Sequence, residues 1–245
     1  MMTDQPLAGK TALVPGGAKR IGRAIALRLA QAGASVALTY RNSQAEAEHT
    51  VERIAGSGAM AAAFVCDLRE ERSVCAAVAA AADRFGGIDI VVNNAGVFES
   101  QPLDQIEMAQ WDAIFAANTR GPYLVVREAL PYLRQRRGRI VNLTSLGGSH
   151  AWVGHGHYCA SKAALEMLTR TMAKAFAPEV SANCVAPGWI DADGAGGPLA
   201  ERFAAKTPMR RNGSAEDVAE AVMFFAAGPR FITGQVLAVD GGLGL

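Results

Sequence analysis

The chain has 245 residues, of which 50% are hydrophobic and 19% charged, enough apolar material for a sizeable core and too little charge for a disordered chain. Its 24 basic and 23 acidic residues are interspersed and leave a net charge of +1, which argues against a nucleic-acid binder or a protein held on an anionic membrane. The four cysteines, Cys66, Cys75, Cys159 and Cys184, form no Cys-x-x-Cys pair, so they read as small core residues in a reducing compartment and no metal site is expected.

Residues 1–10 lack the basic flank and apolar run of a secretory signal, and no window is long enough to span a bilayer, so a cytoplasmic protein is expected. A β-branched apolar run at 11–14 predicts the first strand. It is followed by Pro15-Gly16-Gly17-Ala18-Lys19-Arg20-Ile21-Gly22, leading into a helix over 21–31. Glycines at such a turn let the backbone approach a pyrophosphate at a helix N-terminus, with Gly16 and Gly22 as its neighbours; they also permit a tight turn with no ligand.

The second strand, 36–40, ends at Tyr40 and Arg41, where NAD-binding versions of this unit carry an acid. The next acid, Glu46, falls inside the helix predicted over 44–55. Arg41, helped by Lys19, suits the 2′-phosphate of NADPH, and two solvated surface cations are the alternative. Strands at 63–65, 88–92, 139–143, 182–185 and 236–239 then alternate with helices at 71–85, 108–136, 157–177 and 215–227. This alternation predicts an α/β fold of the Rossmann type, a doubly wound parallel sheet with helices on both faces, built as a single domain over 1–245. The Gly- and Pro-rich stretch 188–208 fits no core element and reads as a substrate flap or a plain surface loop.

Within the helix predicted over 157–177, Tyr158 and Lys162 stand four residues apart and share a face. A phenol beside an ammonium is drawn toward its phenolate, which brings it nearer to useful acid and base strength. His150, His155 and His157 crowd the preceding loop, and with Trp152 and Trp189 they are candidates for a substrate rim.

These residues carry a resemblance. Gly16 to Gly22, Cys66-Asp67-Leu68, Asn93-Asn94-Ala95-Gly96, Asn118, Ser145, Tyr158 with Lys162, Pro187-Gly188, and Ile232-Thr233-Gly234 with Val239-Asp240-Gly241-Gly242 are similar, in order and spacing, to the short-chain dehydrogenase/reductases over essentially the whole chain. The resemblance implies an NADPH/NADP+-dependent oxidoreductase acting on a carbonyl or C=N bond of a small molecule, with no nucleic-acid or membrane partner, and commonly a homotetramer. It implies Tyr158 as the proton donor, Lys162 as the residue that depresses its pKa and bonds the nicotinamide ribose, Ser145 as the holder of the carbonyl oxygen, and Asn118 as the anchor of a proton-relay water. Asp67 and Asn94 resemble adenosine-side contacts, and Pro187 and Gly188 the turn beside the nicotinamide amide. Lys19, Arg20, Ile21, Leu68, Ala95 and Gly96 complete the implied cofactor set.

Two positions depart from the family pattern. Pro15 stands where most members carry Thr, and Arg20 where most carry Gly, so a less firmly braced turn is expected. Lys19-Arg20 is similar to the pterin reductase branch, and Tyr40-Arg41-Asn42-Ser43 fits that branch as well as the 3-oxoacyl reductases. A non-catalytic dinucleotide sensor and a dehydrogenase working oxidatively are the alternatives; retention of the Ser, Tyr, Lys and Asn set argues against the sensor.

Overall fold

The structure, a computed structural model, describes residues 5–245. Its seven strands are β1 (Thr11–Pro15), β2 (Ser35–Tyr40), β3 (Ala61–Val65), β4 (Ile90–Asn93), β5 (Arg139–Leu143), β6 (Ser181–Pro187) and β7 (Val236–Val239). They pair in the order β3-β2-β1-β4-β5-β6-β7, and every pairing is parallel. The chain order therefore reverses between β1 and β4, and ligands of such sheets bind beyond the strand carboxyl ends at that crevice.

Side-chain alternation decides which face each strand residue covers. On β1, Ala12 and Val14 join a buried cluster with Ile25 and Leu29 of α1 (Arg20–Gln31) and Val218 and Val222 of α8 (Ala215–Ala227). Leu13 between them points to the opposite cluster, with Val74 and Val78 of α3 (Glu71–Phe85), Leu124 and Leu133 of α5 (Gly121–Arg136) and Met172 of α6 (Gly156–Ala175). Two apolar layers thus sandwich the sheet, as expected. A further helix, α2 (Gln44–Gly56), follows β2.

Two segments differ from expectation. The stretch 108–136 is not one regular helix but α4 (Met108–Phe115), a π-helical turn (Ala116–Arg120) and α5. In that turn the Gly121 N–H reaches five residues back to the Ala116 carbonyl. Pro122, which follows, has no N–H to return to the Asn118 carbonyl four residues behind it. The stretch 188–208 is not wholly irregular: it contains α7 (Pro198–Lys206), which starts on Pro198, whose fixed φ suits a first helical turn. Among the described residues no helix is long and apolar enough to cross a membrane.

Candidate active site

The residues that follow the strands converge on one cleft of ≈ 970 Å³. The turn after β1 brings Gly16, Lys19, Arg20, Ile21 and Gly22 into it, the end of β2 Tyr40 and Arg41, and the end of β3 Asp67 and Leu68. Beyond β4 come Asn94, Ala95 and Gly96, beyond β5 Ser145, from α6 Tyr158 and Lys162, and at the end of β6 Pro187 and Gly188. Of the expected set only Asn118 lies behind the wall, fully buried.

Asn118 sits in the π-helical turn, and its amide clamps the segment after β4. Its Oδ1 accepts from the Val97 N–H at 2.7 Å, while its Nδ2 donates to the Val97 carbonyl at 2.9 Å and to Ser161 Oγ at 3.1 Å. A Cβ on Gly96 would stand 3.1 Å from Asn118 Oδ1 and 3.3 Å from Lys162 Nζ, so glycine is what lets these three pack together.

Ser145 is buried at the start of a 3-10 turn, where its Oγ accepts the Gly147 N–H at 3.1 Å. That leaves its own O–H to donate into the cleft. Lys162 Nζ donates to the Leu143 carbonyl at 2.9 Å and lies 5.9 Å from the centre of the Tyr158 ring. Burial holds the Lys162 ammonium down at about 8. The Tyr158 phenol is pushed above its ordinary value by burial, with the Ser145 hydroxyl pulling the other way. The expected lowering by Lys162 is not seen: burial raises the Tyr158 pKa, the Ser145 hydroxyl is what lowers it, and one N–H of the Lys162 ammonium goes to the Leu143 carbonyl.

At the other end, α1 presents an N-terminus with no side-chain cap and no acid in its first turn. By contrast, α8 closes its own with a reciprocal Ser214 and Asp217 capping box. An uncapped helix start opening into a cleft beside cations fits an anionic pyrophosphate. The glycines are also required by the turn itself. Gly16 has φ +71° with a Cβ position 2.9 Å from Ala95, and a Cβ on Gly22 would stand 2.0 Å from the Gly16 carbonyl oxygen.

Pro15 supplies no hydroxyl to this turn, as expected from the sequence, but other bonds cross the same gap. The Pro15 carbonyl accepts the Ala95 N–H at 3.0 Å, and Asn94 Nδ2 donates to the Gly16 carbonyl at 3.0 Å, so the turn is tied to the segment after β4 without a hydroxyl. Arg20 adopts the left-handed region at φ 53°, where glycine is favoured, and reaches across the cleft to Asp193 Oδ2 through its Nε at 2.8 Å. Asp67 is gripped by Arg69 at 2.6 Å, which holds its carboxyl down at about 2. Lys19 faces Glu46 at 3.7 Å, and no carboxylate pairs with Arg41 among the described residues.

Sequence reasoning missed Arg69, Asp193 and Phe98. The first two act through partners that only the fold selects, and Phe98 stands edge-on to Tyr158 with ring centres 4.8 Å apart. The three histidines do not form one rim. His157 is fully buried, with Nε2 3.8 Å from Glu99 Oε2; His150 meets the Gly244 carbonyl; His155 stacks on Phe98 at 4.5 Å.

A parallel Rossmann sheet whose cleft has an uncapped, glycine-rich helix start at one end and, at the other, a half-buried Tyr158 with buried Ser145 and Lys162 defines a nucleotide-dependent oxidoreductase. The family described as enoyl-(acyl carrier protein) reductase matches residues 16–244. The 3-oxoacyl-[acyl-carrier-protein] reductase of Staphylococcus epidermidis is 35% identical over 240 residues, 96% of this chain and 98% of that one. A dehydrogenase/reductase from Sinorhizobium meliloti superposes with a TM-score of 0.94 at 39% identity, covering 99% of this chain and 98% of that one. A short-chain dehydrogenase from Burkholderia cenocepacia, solved in complex with NADP, gives 0.92 at 39% identity over 98% of this chain and 100% of that one. The chain belongs to the short-chain dehydrogenase/reductase family.

Proposed function

We propose that this protein is an NADPH-dependent reductase of a small-molecule carbonyl, with Tyr158 as its proton donor. The observation that carries the reading is that Tyr158, Ser145 and Lys162 share one cleft with Arg41 and the uncapped start of α1. Gly16 to Gly22 would hold the pyrophosphate, Arg41 the 2′-phosphate, Tyr40, Asp67, Leu68 and Asn94 the adenosine side, and Lys162, Pro187 and Gly188 the nicotinamide side. The NADP named with the Burkholderia cenocepacia structure supports this choice. When bound, NADPH supplies the hydride.

The chain's own residues handle the proton and the developing charge. Ser145, with its acceptor side taken by the Gly147 N–H, donates its O–H to the substrate oxygen. Tyr158, its pKa raised by burial, keeps its proton at neutral pH and gives it to that oxygen as negative charge grows there. Lys162, fixed by the Leu143 carbonyl, holds a positive charge near the phenol. The Asn118 carbonyl, to which Pro122 offers no N–H, would hold a water that resupplies the proton through Lys162.

Beside simple ketones, two further carbonyl or C=N classes are to be tested: a 3-oxoacyl thioester, as in the name of the Staphylococcus epidermidis relative, and a pterin-like heterocycle, as Lys19-Arg20 suggests. The stretch 188–208 serves as the flap over the substrate end, and the protein works as a cytoplasmic homotetramer. The test is the loss of NADPH absorbance across ketones, 3-oxoacyl thioesters and dihydropterins. Turnover of at least one carbonyl supports the reductase. Tight NADPH binding with no turnover of any of them favours a dinucleotide sensor.

A further inference from the structure

The two ends of the cleft differ sharply in chemistry, and the difference bears on the substrate. The cations that line it are Lys19, Arg20, Arg41, Arg69 and Lys162. The first four belong to the nucleotide end, where Arg20 and Arg69 are already paired with Asp193 and Asp67. Lys162 is buried beneath the catalytic phenol. The substrate end is instead walled by rings. Trp152 lies nearly parallel to the Tyr158 ring, at 15° and 6.3 Å between centres, and Phe98 stands at 86° to it. Trp189, which lines the same cleft, is stacked on Phe203 of α7 at 4.1 Å and 4°, and Leu199, also in its lining, is 53% exposed.

Exposed apolar side chains gathered at the mouth of a catalytic cleft lose most from contact with water and gain most from a ligand that covers them. Phe98, 57% exposed, is held by its stack on His155 and so presents a fixed surface. Trp189 is held in the same way by Phe203. Rings fixed in this way favour a flat partner over a flexible chain, since little side-chain freedom is left to lose on binding. The acids on this rim also have partners. Asp191 accepts the Ala195 and Gly196 N–H groups, and Glu99 accepts from Gln110 Nε2. With no free cation among the described residues that line this end, an anionic carrier gains no ion pair there.

We infer that the substrate is an uncharged ketone whose carbonyl is attached to a flat aromatic ring, selected by Trp152, Phe98 and Trp189, in preference to a phosphate-bearing acyl thioester. This rests on the reductase reading above, and the experiment separates the two. Initial rates of NADPH oxidation are compared for 2-acetylnaphthalene, 2-dodecanone (the same carbon number without a ring) and acetoacetyl-coenzyme A. The expected order of kcat/KM places the naphthyl ketone at least about tenfold above each of the others. Trp152→Ala should remove most of that preference, mainly through KM, while Trp152→Phe restores most of it. A dodecanone or thioester rate equal to or above the naphthyl rate overturns the inference and leaves the reductase reading standing. So does a Trp152→Ala loss that is equal for all three. No oxidation with any of the three overturns the inference, and the reductase reading falls with it only if the dihydropterins of the wider panel also leave NADPH unoxidised.

Discussion

At Lys162 the structure sets burial against charge, and burial prevails. Its folded pKa of about 8 lies below the 10.5 of an exposed lysine, so between these values the unfolded chain binds more protons and stability rises with pH. Below about 8 both states are protonated and the whole cost, about 3 kcal/mol, is present. Lys162→Met should therefore raise the melting temperature at pH 7, and the gain over the parent should shrink as pH rises from 8 to 10.5. A gain independent of pH would contradict this account of Lys162. Arg41, with no carboxylate partner among the described residues, gives a second test. Arg41→Ala should weaken NADPH at least about tenfold more than NADH in a binding titration, the size of a lost charge-assisted hydrogen bond. Equal losses would refute its 2′-phosphate role. The chemistry of Tyr158, Lys162 and Ser145 was legible in residue types and spacing. The direction of the Tyr158 shift was not, because it depends on how deeply the fold buries the ring.

Among the elements, the turn after β1 and the π-helical turn do most to place the site. A Cβ on Gly22 cannot coexist with the Gly16 carbonyl 2.0 Å away, so Gly22→Ala must reshape the turn. It should cost about 1–3 kcal/mol of stability and weaken NADPH binding measurably in the same titration. Pro15→Thr should change little, since the Pro15 carbonyl and Asn94 already brace the turn; a large gain in melting temperature would show that this bracing is insufficient. Strand and helix alternation, read at 2.0 and 3.6 residues per repeat, was enough to find the sheet and all its crossovers. The π-helical turn escaped because one extra residue in a 29-residue apolar stretch barely disturbs the periodicity. It is announced only by Asn118 and Pro122. Helix α7 was hidden by the glycines that flank it, and Arg20's tie to Asp193 joins residues 173 apart, which no local pattern can show.

Taken as a whole, the molecule gathers its chemistry at the carboxyl ends of a parallel sheet and leaves β7 as an edge strand, while Phe231 and Leu245 are in full contact with solvent. The homotetramer proposed above would cover such surface, and light scattering at micromolar concentration should then give four times the chain mass; a monomer mass would contradict that proposal. The central claim is that one cleft couples NADPH to a proton from Tyr158. The most direct test is to follow NADPH absorbance with 2-acetylnaphthalene for the protein and Tyr158→Phe side by side, each shown to bind NADPH equally. The account predicts alcohol formed in step with NADPH consumed, and a rate at least about a hundredfold lower in the variant. Equal and measurable rates of alcohol formation in the two proteins would contradict it.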